Sequence, residues 1–352
     1  MKTILLLFSS VSIVLCQLPT DGGLRFDFTS DVRLFTAYSF MNAAGNDAEW
    51  RSAGMHPIRV ALRKDLEGRL DSTFLHKIRE FNFSHNRGSW ITYGPFALIT
   101  EGPPHFRVSY DPATSEDAKE VEADCAGLSE LLAEFYQKAH IVELWKKYRP
   151  IIQSQNDKFQ RFAQGALVDI EAYCRLNKDY FAQISGRIHF QFCPLMLYFT
   201  SQTVKVNGEI WIIAGPQEGE PSESSFYHEA LHHVISPLTA TIDSTTAQRF
   251  ADLFALADST THLGYGDFDE SFVRTLDYVI GGKRQGKSDS AITVGLTREY
   301  KLGFPLCLAI LEQLKHYETS SMTFAEYFPK IIASIDVTRE KRRWIELTKG
   351  SQ

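Results

Sequence analysis

Residues 224–237 read SSFYHEALHHVISP, and the pentad inside them, His228-Glu229-Ala230-Leu231-His232, decides how the rest of the chain is read. On a helix, residues four apart lie one above the other, so His228 and His232 can present their imidazoles to one metal ion. Glu229 then flanks that ion, where it can take a proton from water. With 11 His in 352 residues, chance supplies roughly 0.02 such pentads per chain. The bland alternative, a solvated helix that happens to carry histidines, fits poorly with Phe226, Leu231 and Val234 on the same segment. Ser222 or Ser224 is expected to cap the helix, and Pro237 to stop it near Ser236.

A zinc ion needs a third protein ligand and an open position. No third His follows at close spacing: Ile235 and Leu238 stand where the Gly and His of HExxHxxGxxH would be. The better source is residues 267–278 (DFDESFVRTLDY), where Asp267 or Asp269 can cap a helix with Phe272, Val273, Leu276 and Ile280 on its apolar face. Glu270, Arg274 and Asp277 share a polar stripe on another face, as a ligand carboxylate with a supporting ion pair would. Alone, that stripe reads as an exposed i, i+4 salt bridge; beside the pentad it makes Glu270 the candidate third ligand. Asp243, Asp252, Asp258, Asp267 and Asp269 are its rivals, and residues 245–256 are expected to form the intervening helix.

Outward from the pentad, residues 203–213 (TVKVNGEIWII) carry Asn207-Gly208 between two strand-like runs, the signature of a tight hairpin. The second strand alternates as a half-buried one does and lies just before the pentad helix. Residues 24–40 pass from alternation to helical spacing. Residues 70–81 and 126–176 are helical, the latter punctuated by Pro150. Residues 96–108 read as a loop or short strands, 111–123 as an exposed connection, and 187–199 as strand. The aromatic stripes between 131 and 167 read as core. The expected fold is α+β and helix-rich, one domain over 17–352 with an N-terminal part (24–200) and a catalytic part (201–352).

Apolar residues make up 44% of the chain, charged residues 23%, and the net charge is −6, without a basic block. That composition excludes disordered and collagen-like chains and argues against nucleic acid as a partner. Lys2 followed by the apolar run 4–15 has the form of a secretory signal, too short to span a membrane, with removal expected after residue 16. The destination is then the periplasm, the cell surface or the extracellular medium. A lipid anchor at Cys16 is the weaker alternative, because Leu15 is bulky where lipoprotein signals carry a small residue. Cys125, Cys174, Cys193 and Cys307 lack metal-site spacing and read as free, buried thiols.

His-Glu-x-x-His followed some tens of residues later by a helical Glu resembles the gluzincin metallopeptidases, in which that Glu is the third zinc ligand. More specifically, the chain resembles a family of exported, largely bacterial proteins with a gluzincin-like domain of unknown function. The residues that carry this are Val32-Arg-Leu-Phe through Asn42-Ala-Ala-Gly45, Phe135-Tyr136 through Trp145, His228 through Pro237, and Glu270 through Thr275. The likeness spans most of the mature chain, though only the metal motif is highly specific. It implies a zincin-like catalytic core whose hairpin strand before the pentad helix, residues 209–213, lies at a sheet edge where extended substrate can pair, Zn2+ held by His228, His232 and Glu270, and Glu229 as base. Thermolysin-like gluzincins place an Asp four residues after the ligand Glu; here that position is Arg274, so Asp277 is the expected orienting carboxylate. His262, Tyr265 and Tyr278 are the candidates for stabilising an oxyanion. The implied activity is hydrolysis of peptide or protein substrates. The rival from another class is a non-catalytic exported binding protein on a zincin scaffold; a metal-storing histidine cluster is a third.

Overall fold

The computed structural model describes residues 24–46, 49, 54–84, 89–115, 117–217, 223–261 and 267–349. The signal-like segment 1–16, Ser222, His262 and Tyr265 lie outside them. The chain opens with β1 (Arg25–Asp27), α1 (Val32–Ala43), α2 (Pro57–Leu66), α3 (Ser72–Ser84) and α4 (Ser89–Leu98). Next come α5 (Ala118–Asp124), α6 (Leu128–Lys138), the long α7 (Ile141–Cys174), α8 (Tyr180–Ile184) and β2 (Arg187–Phe192). The hairpin β3 (Ser201–Val206) and β4 (Glu209–Ala214) leads into α9 (Ser224–Thr239), α10 (Ser244–Thr261) and α11 (Phe268–Arg284). Four helices close the chain: α12 (Asp289–Lys301), α13 (Cys307–Thr319), α14 (Phe324–Ser334) and α15 (Val337–Thr348). The fold is α+β and helix-rich around one small mixed sheet.

The sheet order is β1-β2-β4-β3, with β3 antiparallel to β4 and the other pairs parallel. The Asn-Gly turn forms as expected, with φ of 52° at Asn207 and 75° at Gly208, which an asparagine and a glycine tolerate. The edge expectation needs correcting. β4 is interior, and the edge strand is β3. Nor is β4 half-buried: Ile210, Ile212 and Ala214 join a cluster with α7, α9 and α11, while Trp211 and Ile213 join another with α1, α4 and α6. Helices cover both faces, so the strand reads as an unbroken apolar run. Gly94 of α4 sits over the hydrogen bond from Gln202 of β3 to the Tyr38 hydroxyl of α1, where a Cβ would overlap both groups.

Both prolines expected to interrupt helices lie inside them. Pro150 sits within α7, its side chain and that of Lys146 exposed, while Leu144, Tyr148 and Ile152 keep the buried stripe continuous. The backbone bond that Pro150 cannot make is lost where water can replace it. Pro237 sits in the last turns of α9 and leaves the His233 carbonyl without its usual donor; the Tyr180 hydroxyl supplies one at 2.9 Å. Residues 96–98 finish α4, and an isolated bridge joins Thr100 to Val108 beyond them. Ala118–Asp124 of the expected connection folds as α5, because Ala118 and Cys125 reach the core at its ends. The strand expected over 187–199 stops at Phe192, and the helix expected over 245–256 extends through α10. The four cysteines among the described residues are free and buried, and burial pushes each thiol up to about 12. Among the described residues no helix is long and apolar enough to cross a membrane.

Candidate metal centre

Helix α9 has two faces. Phe226, Tyr227, Ala230, Leu231, Val234 and Ile235 recur at helical spacing and are buried in the core. His228 and His232, one turn apart, look the other way, into a cleft. Helix α11 runs antiparallel alongside, anchored by its N-cap, where the Asp267 carboxylate accepts the Glu270 backbone N–H at 2.8 Å. That cap puts Glu270 in the first turn, opposite the two histidines.

The structure brings His228, His232 and Glu270 together. His228 Nε2 and His232 Nε2 are 3.4 Å apart. Glu270 Oε1 lies 3.7 Å from the first and 3.5 Å from the second. Ligands of a tetrahedral ion at ~2.1 Å stand about 3.4 Å from one another. The triangle is therefore of the size a zinc ion needs, and two imidazoles with one carboxylate match a catalytic donor set. Burial alone would raise the Glu270 carboxyl, but the two imidazoles and Arg274 outweigh it and hold the group well below the usual carboxylate range. At His232 burial pulls the other way, and Asp269 with Glu270 pushes the imidazole up to about 10.

The supporting shell departs from expectation. Asp269, not Asp277, orients His232: its Oδ2 is 2.6 Å from His232 Nδ1, and its Oδ1 accepts from the Thr239 hydroxyl at 3.1 Å. Asp277 accepts instead from Ser224 Oγ at 2.8 Å, and burial raises its carboxyl to about 6. Antiparallel geometry explains the exchange. From Asp269 to Asp277 is eight residues (277 − 269), and from His232 to Ser224 is also eight (232 − 224), so each acid meets its own partner along α9. Ser224 thus serves α11, and the cap position of α9 is Glu223.

Arg274 donates to Glu270 Oε2 at 2.9 Å and to Glu299 Oε2 at 2.8 Å, and stacks over the Phe304 ring. Tyr278 donates to Glu299 at 3.1 Å, its ring seated where a side chain on Gly295 would overlap it. Of the rival acids, Asp243 caps α10 and Asp252 pairs with Lys341, while burial raises Asp267 to about 6 at its cap. Among the described residues, the His228, His232 and Glu270 group alone can close on an ion.

Glu229 is 2% exposed and lines the same cleft, where its charge acts on the His232 imidazole. The cleft, about 1360 Å³, runs from the histidines along residues 201–205 of β3 to α4 and α5. His233, which the motif reading passed over, bonds Thr203 of β3 at 2.7 Å and ties α9 to the edge strand. Its signal was present in sequence only as a third histidine in an already full motif. Glu299 left no signal, because its role depends on where α12 packs. The chain matches no protein-family model, no curated protein and no solved structure.

Proposed function

We propose that the protein is an exported zinc-dependent metallopeptidase of the gluzincin type, with a zincin-like core. The observation that carries the proposal is the triangle of 3.4, 3.5 and 3.7 Å among His228, His232 and Glu270, with Glu229 next to it on the same helix. His228, His232 and Glu270 would hold the ion, which when bound supplies Lewis acidity for attack of water on a carbonyl.

The remaining steps belong to the chain's own residues. Glu229, shielded within the cleft, accepts the proton of the attacking water and returns it to the departing amine nitrogen. Asp269 fixes His232 with Nε2 directed at Glu270, and Arg274 with Glu299 holds the Glu270 carboxylate in place. β3 stands at the end of the sheet order, where an extended substrate would pair with it beside the ligands. The signal-like start of the sequence supports export.

The test is hydrolysis of a mixed peptide library by the zinc-loaded protein, with and without chelator, alongside Glu229→Gln. The variant is expected to keep its zinc and lose roughly 10²–10⁴-fold in rate. Near-full activity in Glu229→Gln would remove it as the base. Zinc binding without turnover of any peptide would favour the non-catalytic binding protein.

A further inference from the structure

Helix α9 is fixed to the sheet by apolar packing at β4 and by polar contact at β3. Its buried residues share one cluster with Ile210 and Ile212 of β4 and with α7 and α11. Among the described residues no side chain of β3 joins that cluster; Val204 and Val206 pack into the one on the opposite face. Within the sheet, β3 stands at the end of the order with β4 as its neighbour. By the two-residue period of a strand, Ser201, Thr203 and Lys205 share the α9 flank, and all three line the cleft.

A tie across this flank runs through His233, one residue past His232. Its ring Nε2 bonds Thr203 Oγ1 at 2.7 Å, and its carbonyl accepts from the Tyr180 hydroxyl of α8 at 2.9 Å. Pro237 is what frees that carbonyl. Tyr180 and Thr203 both line the cleft, so one residue meets two of its walls from the turn of α9 that carries His232. Thr203 is central in the stretch 201–205 that follows the cleft. The demand on such a tie is strict. Zinc–ligand bonds are ~2 Å long, a one-residue step on a strand is ~3.3 Å, and a reacting group misplaced by ~1 Å loses about 10²-fold in rate.

We propose that Thr203 and His233 are positioning residues: their bond sets the distance of the β3 edge from His228, His232 and Glu270, so that a peptide paired with β3 presents its scissile carbonyl at the ion rather than beside it. This rests on the peptidase reading for the line the substrate takes along β3. Backbone pairing with β3 does not use the Thr203 hydroxyl, so removing it should spare binding and lose alignment. Thr203→Val keeps the shape of the side chain and a β-branched residue on the strand, whereas Thr203→Ser keeps the hydroxyl.

The experiment uses the full chain carrying Glu229→Gln, so that peptides are not consumed, loaded with Co2+ as a visible probe of the ligand set. A labelled octapeptide is titrated; anisotropy reads its affinity, and cobalt absorption reads the arrival of its carbonyl at the ion. With Thr203→Val, affinity is expected to stay within about threefold while the cobalt response is lost, and Thr203→Ser should keep both. In the zinc-loaded protein with Glu229 in place, Thr203→Val should lose about tenfold in kcat on the octapeptide with KM little changed. A full cobalt response in Thr203→Val, none in its parent, or an equal kcat loss on a blocked dipeptide too short to lie along β3 overturns the inference. So does additivity of Thr203→Val with His233→Ala, since partners in one bond give less than additive losses. The two readings fail separately. Cleavage with unaltered kcat in Thr203→Val leaves the peptidase standing and sinks this proposal. A cobalt response that needs the Thr203 hydroxyl, without turnover in the unsubstituted protein, upholds it and sinks the peptidase.

Discussion

At Asp269 one carboxylate joins two helices, with Oδ2 at 2.6 Å from His232 Nδ1 and Oδ1 accepting from Thr239. A carboxylate on the far nitrogen of a ligand histidine fixes its ring and raises its basicity. Asp269→Asn keeps the shape and removes the charge. It should weaken zinc binding about 10–100-fold, measured by competition with a chromophoric chelator, with the fold intact by circular dichroism. Unchanged affinity would mean that His232 is oriented by something else. His228, Glu229 and His232 were legible in sequence because helical geometry alone fixes the i, i+4 relation. Glu270 was legible because Asp267 announces the helix start. The Asp269 role was not, since it depends on how α11 is rotated against α9, and the same residue reads equally well as a cap.

Among the elements, the hairpin and the pentad helix were legible from local chemistry, while the positions of α4, α5 and the prolines were not. A proline's cost, about 3 kcal/mol in a helix interior, is set locally; what offsets it is tertiary. At Pro237 the offset is the Tyr180 hydroxyl, and at Pro150 it is the core stripe that continues past it. The first three strands in the sheet order, β1, β2 and β4, are tied by a second polar set in which His189 meets Glu209 at 2.7 Å and Asp27 at 3.3 Å, stacked on Trp211.

The hydrogen bond from His189 holds the Glu209 carboxyl below its usual range, against the pull of burial. Asp27 is also held low: burial would raise it, and the Thr29 hydroxyl and backbone with His189 outweigh that. A carboxylate with a depressed folded pKa stabilises above its unfolded value of ~4 and loses that contribution as pH falls through the folded value. Glu209→Gln should therefore cost about 0.5 kcal/mol at pH 7, small because the side chain is 38% exposed and screened. At pH ~3 the gap should be narrower, because the fall toward the folded value begins to neutralise the native carboxylate as well. Urea midpoints at both pH values check this; an equal gap at both would show that packing, not charge, is what the substitution removes.

Across the whole molecule, one small sheet sets the geometry. Helices bury both of its faces, α7, α9 and α11 on one and α1, α4 and α6 on the other, so that β3 alone offers an edge to the cleft. The class, α+β and helix-rich, followed from periodicity. The strand order did not, because nothing local says that β2, from before the hairpin, pairs with β4 and moves it inside. That pairing turns β3 outward and brings Thr203 to His233, so the cleft depends on it.

The account stands on His228, His232 and Glu270 holding one ion, and metal stoichiometry tests that most directly. The full chain, stripped with chelator, is reloaded with zinc, desalted and assayed by elemental analysis beside Glu270→Ala and His232→Ala, with folding checked by circular dichroism. One zinc per chain is expected for the unsubstituted protein, and well under one for each folded variant, because three ligands are needed to hold a catalytic ion. No zinc in the unsubstituted protein, or a full equivalent retained by folded Glu270→Ala, would contradict the account.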